Sequence, residues 1–282
     1  MEENIFVNIL RPAMMQDNSA EDDYKDEDGL LMCGKCHTRK QTFFEVEGLI
    51  PRTVVPCLCE CEQKRVEEEK QARQREEARQ RIEAMRRNGI ADEQYISCTF
   101  ALDDREDEKA SDFCRKYVEE WKWAQETNAG LMLYGDVGGG KTFLAACIAN
   151  ALVDKGVPVM MTTIPRLVAA MQENYGDKRA EVLRKISTAP LLVLDDVGTE
   201  RGTSTGMELA YEIINTRYKA QKPLIVTTNL TMQEIRDTQD IGHRRLYDRI
   251  VEMCAPLKVS GAGRRQKAAR AKLDEMKARF GA

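Results

Sequence analysis

Eight residues, Gly135-Asp136-Val137-Gly138-Gly139-Gly140-Lys141-Thr142, constrain this chain more than any other feature. They fit the pattern G-x-x-x-x-G-K-[ST] completely. An apolar run, Leu131-Met132-Leu133-Tyr134, precedes them, and Leu144, Ile148 and Leu152 recur at helical spacing after them. Strand, glycine turn and helix in that order make a phosphate cradle. Glycines let successive backbone N–H groups turn inward around phosphate oxygens, where side chains would obstruct them. Lys141 adds a point charge at the β- and γ-phosphates, and the Thr142 hydroxyl is placed to ligate Mg²⁺. The helix that follows directs its positive end at the same anion. A chance glycine-rich turn would lack the flanking strand and helix. The expected ligands are a nucleotide and Mg²⁺.

Further apolar runs, Val157 to Met161, Leu191 to Leu194 and Leu224 to Thr227, are each bounded by Gly, Pro or Asp and followed by a helical pattern. Strands alternating with helices predict an α/β fold with a central parallel sheet covered on both faces. The run Leu191-Leu192-Val193-Leu194 ends in Asp195-Asp196, at the strand edge where open α/β sheets bind ligands. Asp195 is the candidate Mg²⁺ holder through water, and Asp196 the candidate to orient or deprotonate an attacking water, with Glu200 in competition. Acids are also common where a strand simply turns into solvent; the glycine loop upstream raises this pair above that reading. Asn229, after Pro223 to Thr228, is placed to bond a γ-phosphate or its water, although Asn is equally an ordinary turn residue. Thr231 and Glu234 have capping-box spacing, so a helix is expected to start there.

Five of nine cysteines fall within residues 33–61, as Cys33-Gly34-Lys35-Cys36 and Cys57-Leu58-Cys59-Glu60-Cys61. Clustering without a secretory start reads as metal binding in a reducing compartment rather than as disulfides. A structural Zn²⁺ site takes four tetrahedral ligands, so one thiol is spare. The favoured set is Cys33, Cys36, Cys59 and Cys61, with Cys57 the alternate and His37 a poorer geometric choice. The segment has little apolar material, and a small module of this kind needs a metal to fold. An iron–sulfur cluster is disfavoured because the spacing matches neither ferredoxin pattern. Cys98, Cys114, Cys147 and Cys254 are isolated and read as core residues.

The remaining chain is very polar. Residues 17–28 hold seven acids against Lys25 alone, which predicts a disordered leader over 1–30. The zinc module is expected over 31–62 and a charged linker helix over 63–94, with the nucleotide domain at 95–282. The linker stretch is rich in Glu, Arg, Lys, Gln and Ala and shows no heptad seam, so it reads as a solvated helix. The net charge of −4 excludes a polybasic nucleic-acid coat. No apolar run approaches the roughly 20 residues that span a bilayer, and Met1-Glu2-Glu3 does not open a signal peptide, so no membrane partner is expected. The stretch from Arg264 to Ala282 carries seven basic residues and two acids. It suits either a contact to phosphate backbone or a solvated helix.

Taken together, Gly135 to Thr142, the run from Leu191 to Gly198, and Thr227-Thr228-Asn229 resemble the three nucleotide motifs of an AAA+ ATPase. The flavour is similar to DnaC-type helicase loaders, including phage and prophage versions. Tyr247-Asp248-Arg249-Ile250 resembles that family's arginine-finger segment. Gly261-Ala262-Gly263-Arg264-Arg265 resembles its sensor 2 segment, with Gly263 where Ser is expected and Arg265 favoured as the sensor. The cysteine segment resembles the zinc module of some loaders. The resemblance implies ATP hydrolysis in self-associated subunits, with Arg249 (or Arg245, one turn earlier) acting on a neighbour's ATP. The alternative for Arg249 is an ordinary ion pair with Asp248 or a glutamate. It also implies a hexameric replicative DNA helicase and single-stranded DNA as partners, in a bacterial or phage-infected cytoplasm. DNA contacts would fall near Arg166, Lys178, Arg179, Arg184 and Lys185. Competing expectations are a transposition helper ATPase resembling IstB, and an adaptor that uses ATP only as an assembly ligand.

Overall fold

The computed structural model describes residues 19–48, 50–172, 177–198, 204–261 and 264–281. The chain divides between Arg79 and Gln80 into two compact units. In the first, β1 (Tyr24–Lys25) pairs antiparallel with β2 (Leu31–Met32), and β3 (Gln41–Val46) with β4 (Ile50–Pro56). The helix α1 (Glu60–Gly89) begins in this unit, and none of its side chains is fully buried. It is laced instead by i,i+3 and i,i+4 ion pairs such as Arg73–Glu77 and Arg79–Glu76.

Within the acidic segment, residues 19–30 make defined contacts. Asp23 forms an ion pair with Lys40 at 2.6 Å and accepts from the Gly34 N–H at 3.0 Å. Asp26 accepts from the N–H groups of Asp28 and Leu30 and shapes the turn between β1 and β2. Composition counted these acids as charge to be solvated. The fold uses them as hydrogen-bond acceptors for loop backbone.

The second unit continues with α2 (Glu93–Ile96), a 3₁₀ turn at Phe100–Leu102, α3 (Glu108–Glu119) and α4 (Trp121–Glu126). Then strands and helices alternate: β5 (Gly130–Tyr134), α5 (Lys141–Asp154), β6 (Val159–Thr163), α6 (Ile164–Gln172), α7 (Asp177–Thr188) and β7 (Leu191–Asp195). The series ends with α8 (Ser204–Ala220), β8 (Leu224–Thr228), α9 (Met232–Arg236), α10 (Ile241–Met253), β9 (Cys254–Lys258) and α11 (Arg264–Phe280). The five strands form one all-parallel sheet in the order β6-β7-β8-β5-β9.

Burial follows the strand period of two. Leu131, Leu133, Val193 and Ile225 face one core with α3 and α5, whereas Met132, Leu192, Leu194 and Val226 face the other with α6, α8 and α10. Both faces are covered, so β7 and β8 are buried throughout. The last turns of the long helix belong here as well: Ile82 and Met85 pack on the first core, and the Ala91 N–H bonds Met161 at the sheet edge. The expected linker over 63–94 is therefore divided, with its carboxyl-terminal part built into the larger unit. Among the described residues no helix is long and apolar enough to cross a membrane.

Candidate nucleotide site and cysteine cluster

The sheet order places the glycine loop at a switch point, because β5 has β8 on one side and β9 on the other. The loop leaves β5 and enters α5 through Gly140, whose φ of +96° strains any residue with a Cβ. Lys141, only 6% exposed, donates to the carbonyls of Gly135 and Asp136, both at 2.8 Å. Its charge is thus held over the loop rather than in solvent.

The carboxyl end of β7 brings the second element within reach. Asp195 is buried, and its Oδ1 accepts from the hydroxyls of Thr142 at 2.8 Å and Thr227 at 2.6 Å. Tyr95 donates to Oδ2 at 3.3 Å. The hydroxyl of Thr142 and the carboxylate of Asp195 form an all-oxygen pair, the donor type that a hard cation such as Mg²⁺ takes. Asp196 is exposed, at φ +56°, and accepts from the Asn229 amide at 2.9 Å. Lys141, Thr142, Asp195, Asp196 and Asn229 line one cleft of 530 Å³, a volume suited to a nucleotide. Glu200 lies outside the described residues.

The opposite wall of that cleft was not legible from motifs. It consists of Gln94, Tyr95, Cys98, Leu102 and Asp104, between the long helix and β5. No glycine pattern marks these residues, and Cys98, expected in the core, borders the cleft. The buried Asn150 of α5 could have signalled it, as a polar residue on an otherwise apolar helix. Its amide donates to the carbonyls of Tyr95 at 2.8 Å and Cys98 at 2.9 Å, pinning the wall to the phosphate-loop helix.

The segment after β9 closes over the loop. A Cβ on Gly261 would lie 2.7 Å from the Gly139 carbonyl oxygen, so the two backbones are in direct contact. The side chain of Arg265 lies outside the described residues. Arg249, on α10, neither pairs with Asp248 nor faces this cleft. Its guanidinium donates to the Tyr211 hydroxyl at 2.9 Å and lies 4.6 Å from the centroid of the Tyr218 ring. Arg245 borders the same surface hollow, one helical turn earlier. Of the basic residues expected near DNA, Arg166 pairs with Asp92, Arg179 with Glu212 and Lys185 with Glu181. Three of the five charges are thus compensated within the chain.

In the smaller unit the Sγ atoms of Cys33, Cys36, Cys59 and Cys61 all lie within 4.8 Å of one another. Cys33–Cys61 and Cys59–Cys61 are separated by 3.6 and 3.3 Å. A tetrahedron of zinc thiolates at the usual bond length has sulfur edges of about 3.8 Å, so the cluster has the size of such a site. The Thr38 hydroxyl draws the Cys36 thiol down to about 5. Hydrogen bonds that the Cys61 thiol donates to Cys59, Cys33 and Cys36 push it up to about 12. Thiolates this close cannot all ionise unaided, and a divalent cation removes that conflict. Cys57 points elsewhere, donating to the Arg39 carbonyl at 3.4 Å, and His37 is engaged with the Tyr24 hydroxyl at 3.2 Å.

The replicative helicase loader DnaI of Bacillus subtilis is 31% identical over 166 residues, 55% of this chain and 52% of that protein. The replicative helicase loader DnaC of Escherichia coli K12 is 30% identical over 133 residues, 46% of this chain and 52% of that protein. The chain therefore spans about half the length of the curated relatives it matches. A crystal structure of DnaI superposes with a TM-score of 0.52 at 26% identity, covering 61% of this chain and 93% of that one. The central parallel sheet flanked by helices and its phosphate loop are those of the AAA+ class. The model of the IstB-like ATP binding proteins matches residues 63–272, more than half of the sequence, and this chain belongs to that family.

Proposed function

We propose that this protein is an ATPase that loads a hexameric replicative DNA helicase onto single-stranded DNA. The observation that carries the ATP part is the Thr142–Asp195–Thr227 cluster beside the Lys141 loop, in a cleft of nucleotide size. The loading part is supported by relatives named as replicative helicase loaders. On this reading Lys141 exchanges its two carbonyl partners for phosphate oxygens, and Thr142 with Asp195 holds Mg²⁺, which neutralises charge on the phosphates. Asp196, oriented by the Asn229 amide, positions the attacking water, and Arg265 reaches the bound nucleotide. Arg249 exchanges its tyrosine partners for the γ-phosphate of a neighbouring subunit, so hydrolysis requires self-association. Cys33, Cys36, Cys59 and Cys61 hold one Zn²⁺ that folds the smaller unit. That unit and the charged helix grip the helicase, in the cytoplasm.

The test is reconstitution with the replicative helicase of the host. Wild-type chain with ATP should transfer the helicase to circular single-stranded DNA, and Lys141→Ala should not. Co-purification of a transposase in place of the helicase would favour the insertion-element role that the family description also covers. ATP binding without turnover, with helicase and DNA present, would leave an adaptor. The water assignment is overturned if Asp196→Asn turns over ATP while Glu200→Gln does not.

A further inference from the structure

The roles proposed above leave a chain of polar contacts unassigned. The last turn of α1 places the Arg86 guanidinium 3.1 Å from the Asn150 amide oxygen, and Arg86 also pairs with Asp154. The nitrogen of the same amide donates to the Tyr95 and Cys98 carbonyls and to Ala146 at 3.0 Å. Two amide protons thus serve three carbonyls, which fixes the Asn150 side chain and the backbone of residues 95–98 together. Tyr95 then reaches across the cleft to Asp195 Oδ2, on the carboxylate oxygen that Thr142 and Thr227 leave open.

We propose that Tyr95 is a positioning residue for the Mg²⁺ carboxylate, and that Arg86 and Asn150 hold it there as part of the nucleotide site. This rests on the ATP reading given above. Asp195 has two oxygens, and hydroxyls of β8 and α5 hold only one of them. Tyr95 sets the rotation of the other, which decides where the carboxylate presents its lone pairs to a hydrated cation. A partner of this kind, one step removed from the metal, is commonly worth tenfold or more in metal affinity. The link also makes the end of the long helix a mechanical input to the site. A pull that displaces Arg86 loosens Asn150, then residues 95–98, then Asp195.

The experiment titrates Mg²⁺ against binding of a fluorescent ATP analogue to the full chain. Tyr95→Phe, which removes one hydroxyl, should raise the Mg²⁺ half-point about tenfold and change the affinity in chelator by a much smaller factor. Arg86→Ala should shift the half-point in the same direction by less. The double variant should be no worse than Tyr95→Phe, because both changes act along one path. An unmoved half-point in Tyr95→Phe overturns the proposal. Equal losses with and without Mg²⁺ also overturn it, since Tyr95 would then only line the cleft. Wild-type chain that binds no analogue under either condition removes the ATP reading, and this inference with it.

Discussion

The two units hold their shapes by different means. The larger one buries whole strands, with Leu191 to Leu194 inaccessible to solvent and packed on both sides. In the smaller one the described side chains that reach burial are Leu30, Cys33 and Cys59, and two of these three are thiols of the cluster. Hydrophobic burial is distributed over many contacts, so damage to it is graded. A four-thiol centre is a single cross-link, so its loss is all-or-none. The difference teaches where each unit is vulnerable.

Removing the metal should therefore give the largest effect. Purified protein is expected to carry about one zinc per chain, and structural zinc of this type contributes on the order of 10 kcal/mol to folding. Chelation should erase amide protection in residues 24–56 while the melting of the larger unit stays where it was. Full protection after chelation would show that the ion pairs and hairpins suffice.

Next in size is a change inside the larger unit. Arg217 is fully buried, has no carboxylate partner among the described residues, and donates to the carbonyls of Ile186, Ala189, Pro190 and Pro223. Two of these belong to the end of α7 and its exit, where a cation suits the helix dipole. Burial lowers its basicity to about 10. Arg217→Met keeps the stem and strips the donors, leaving buried carbonyls unpaired at a cost of about 3 kcal/mol or more. Denaturant unfolding reads this directly, and zinc content should be untouched. Wild-type stability in that variant would mean water replaces the guanidinium.

A smaller effect falls on binding rather than folding. Gly261→Ala forces a methyl against the Gly139 backbone, 2.7 Å from its oxygen and 2.9 Å from its Cα. Overpacking of this kind costs about 1–3 kcal/mol, so ATP affinity should fall about tenfold or more. Unchanged affinity would show that the segment after β9 yields without disturbing the loop.

Legibility in the sequence divides along the same line. Runs at Leu131, Val157, Leu191 and Leu224 announce β5 to β8, because buried central strands must be continuously apolar. β9, Cys254-Ala255-Pro256-Leu257-Lys258, carries a proline and is mostly exposed; it is an edge strand paired on one side, and no apolar run marks it. The phosphate loop is legible because its chemistry dictates residue type at each position. The wall formed by Tyr95 and its neighbours is not, since no sequence pattern dictates residue type there and Asn150 holds it through backbone carbonyls. The acids at Asp23 and Asp26 mislead because composition cannot tell a solvated charge from one that accepts loop N–H groups.

The smallest prediction concerns the capping box, a feature read from two residues and present in full. The Thr231 hydroxyl accepts from the Glu234 N–H at 3.2 Å, and Glu234 accepts from the Thr231 N–H at 2.7 Å. The cap starts α9 two residues after Asn229, so it also fixes the end of the cleft. Thr231→Ala should cost the larger unit about 1 kcal/mol. The pair has a pH signature as well. Bonds from the Thr231 N–H and hydroxyl hold the Glu234 carboxyl below its ordinary value of 4.5. The folded chain then keeps this group ionised where the unfolded chain already binds a proton, so its contribution is full above about pH 4.5 and fades as pH falls below. Glu234→Gln should flatten that part of the acid-stability curve without changing zinc release from the smaller unit. If the acid limb stays as steep in Glu234→Gln, the cap carries no linkage to protons. If zinc release moves with it, the two units are not independent, and the contrast between them fails.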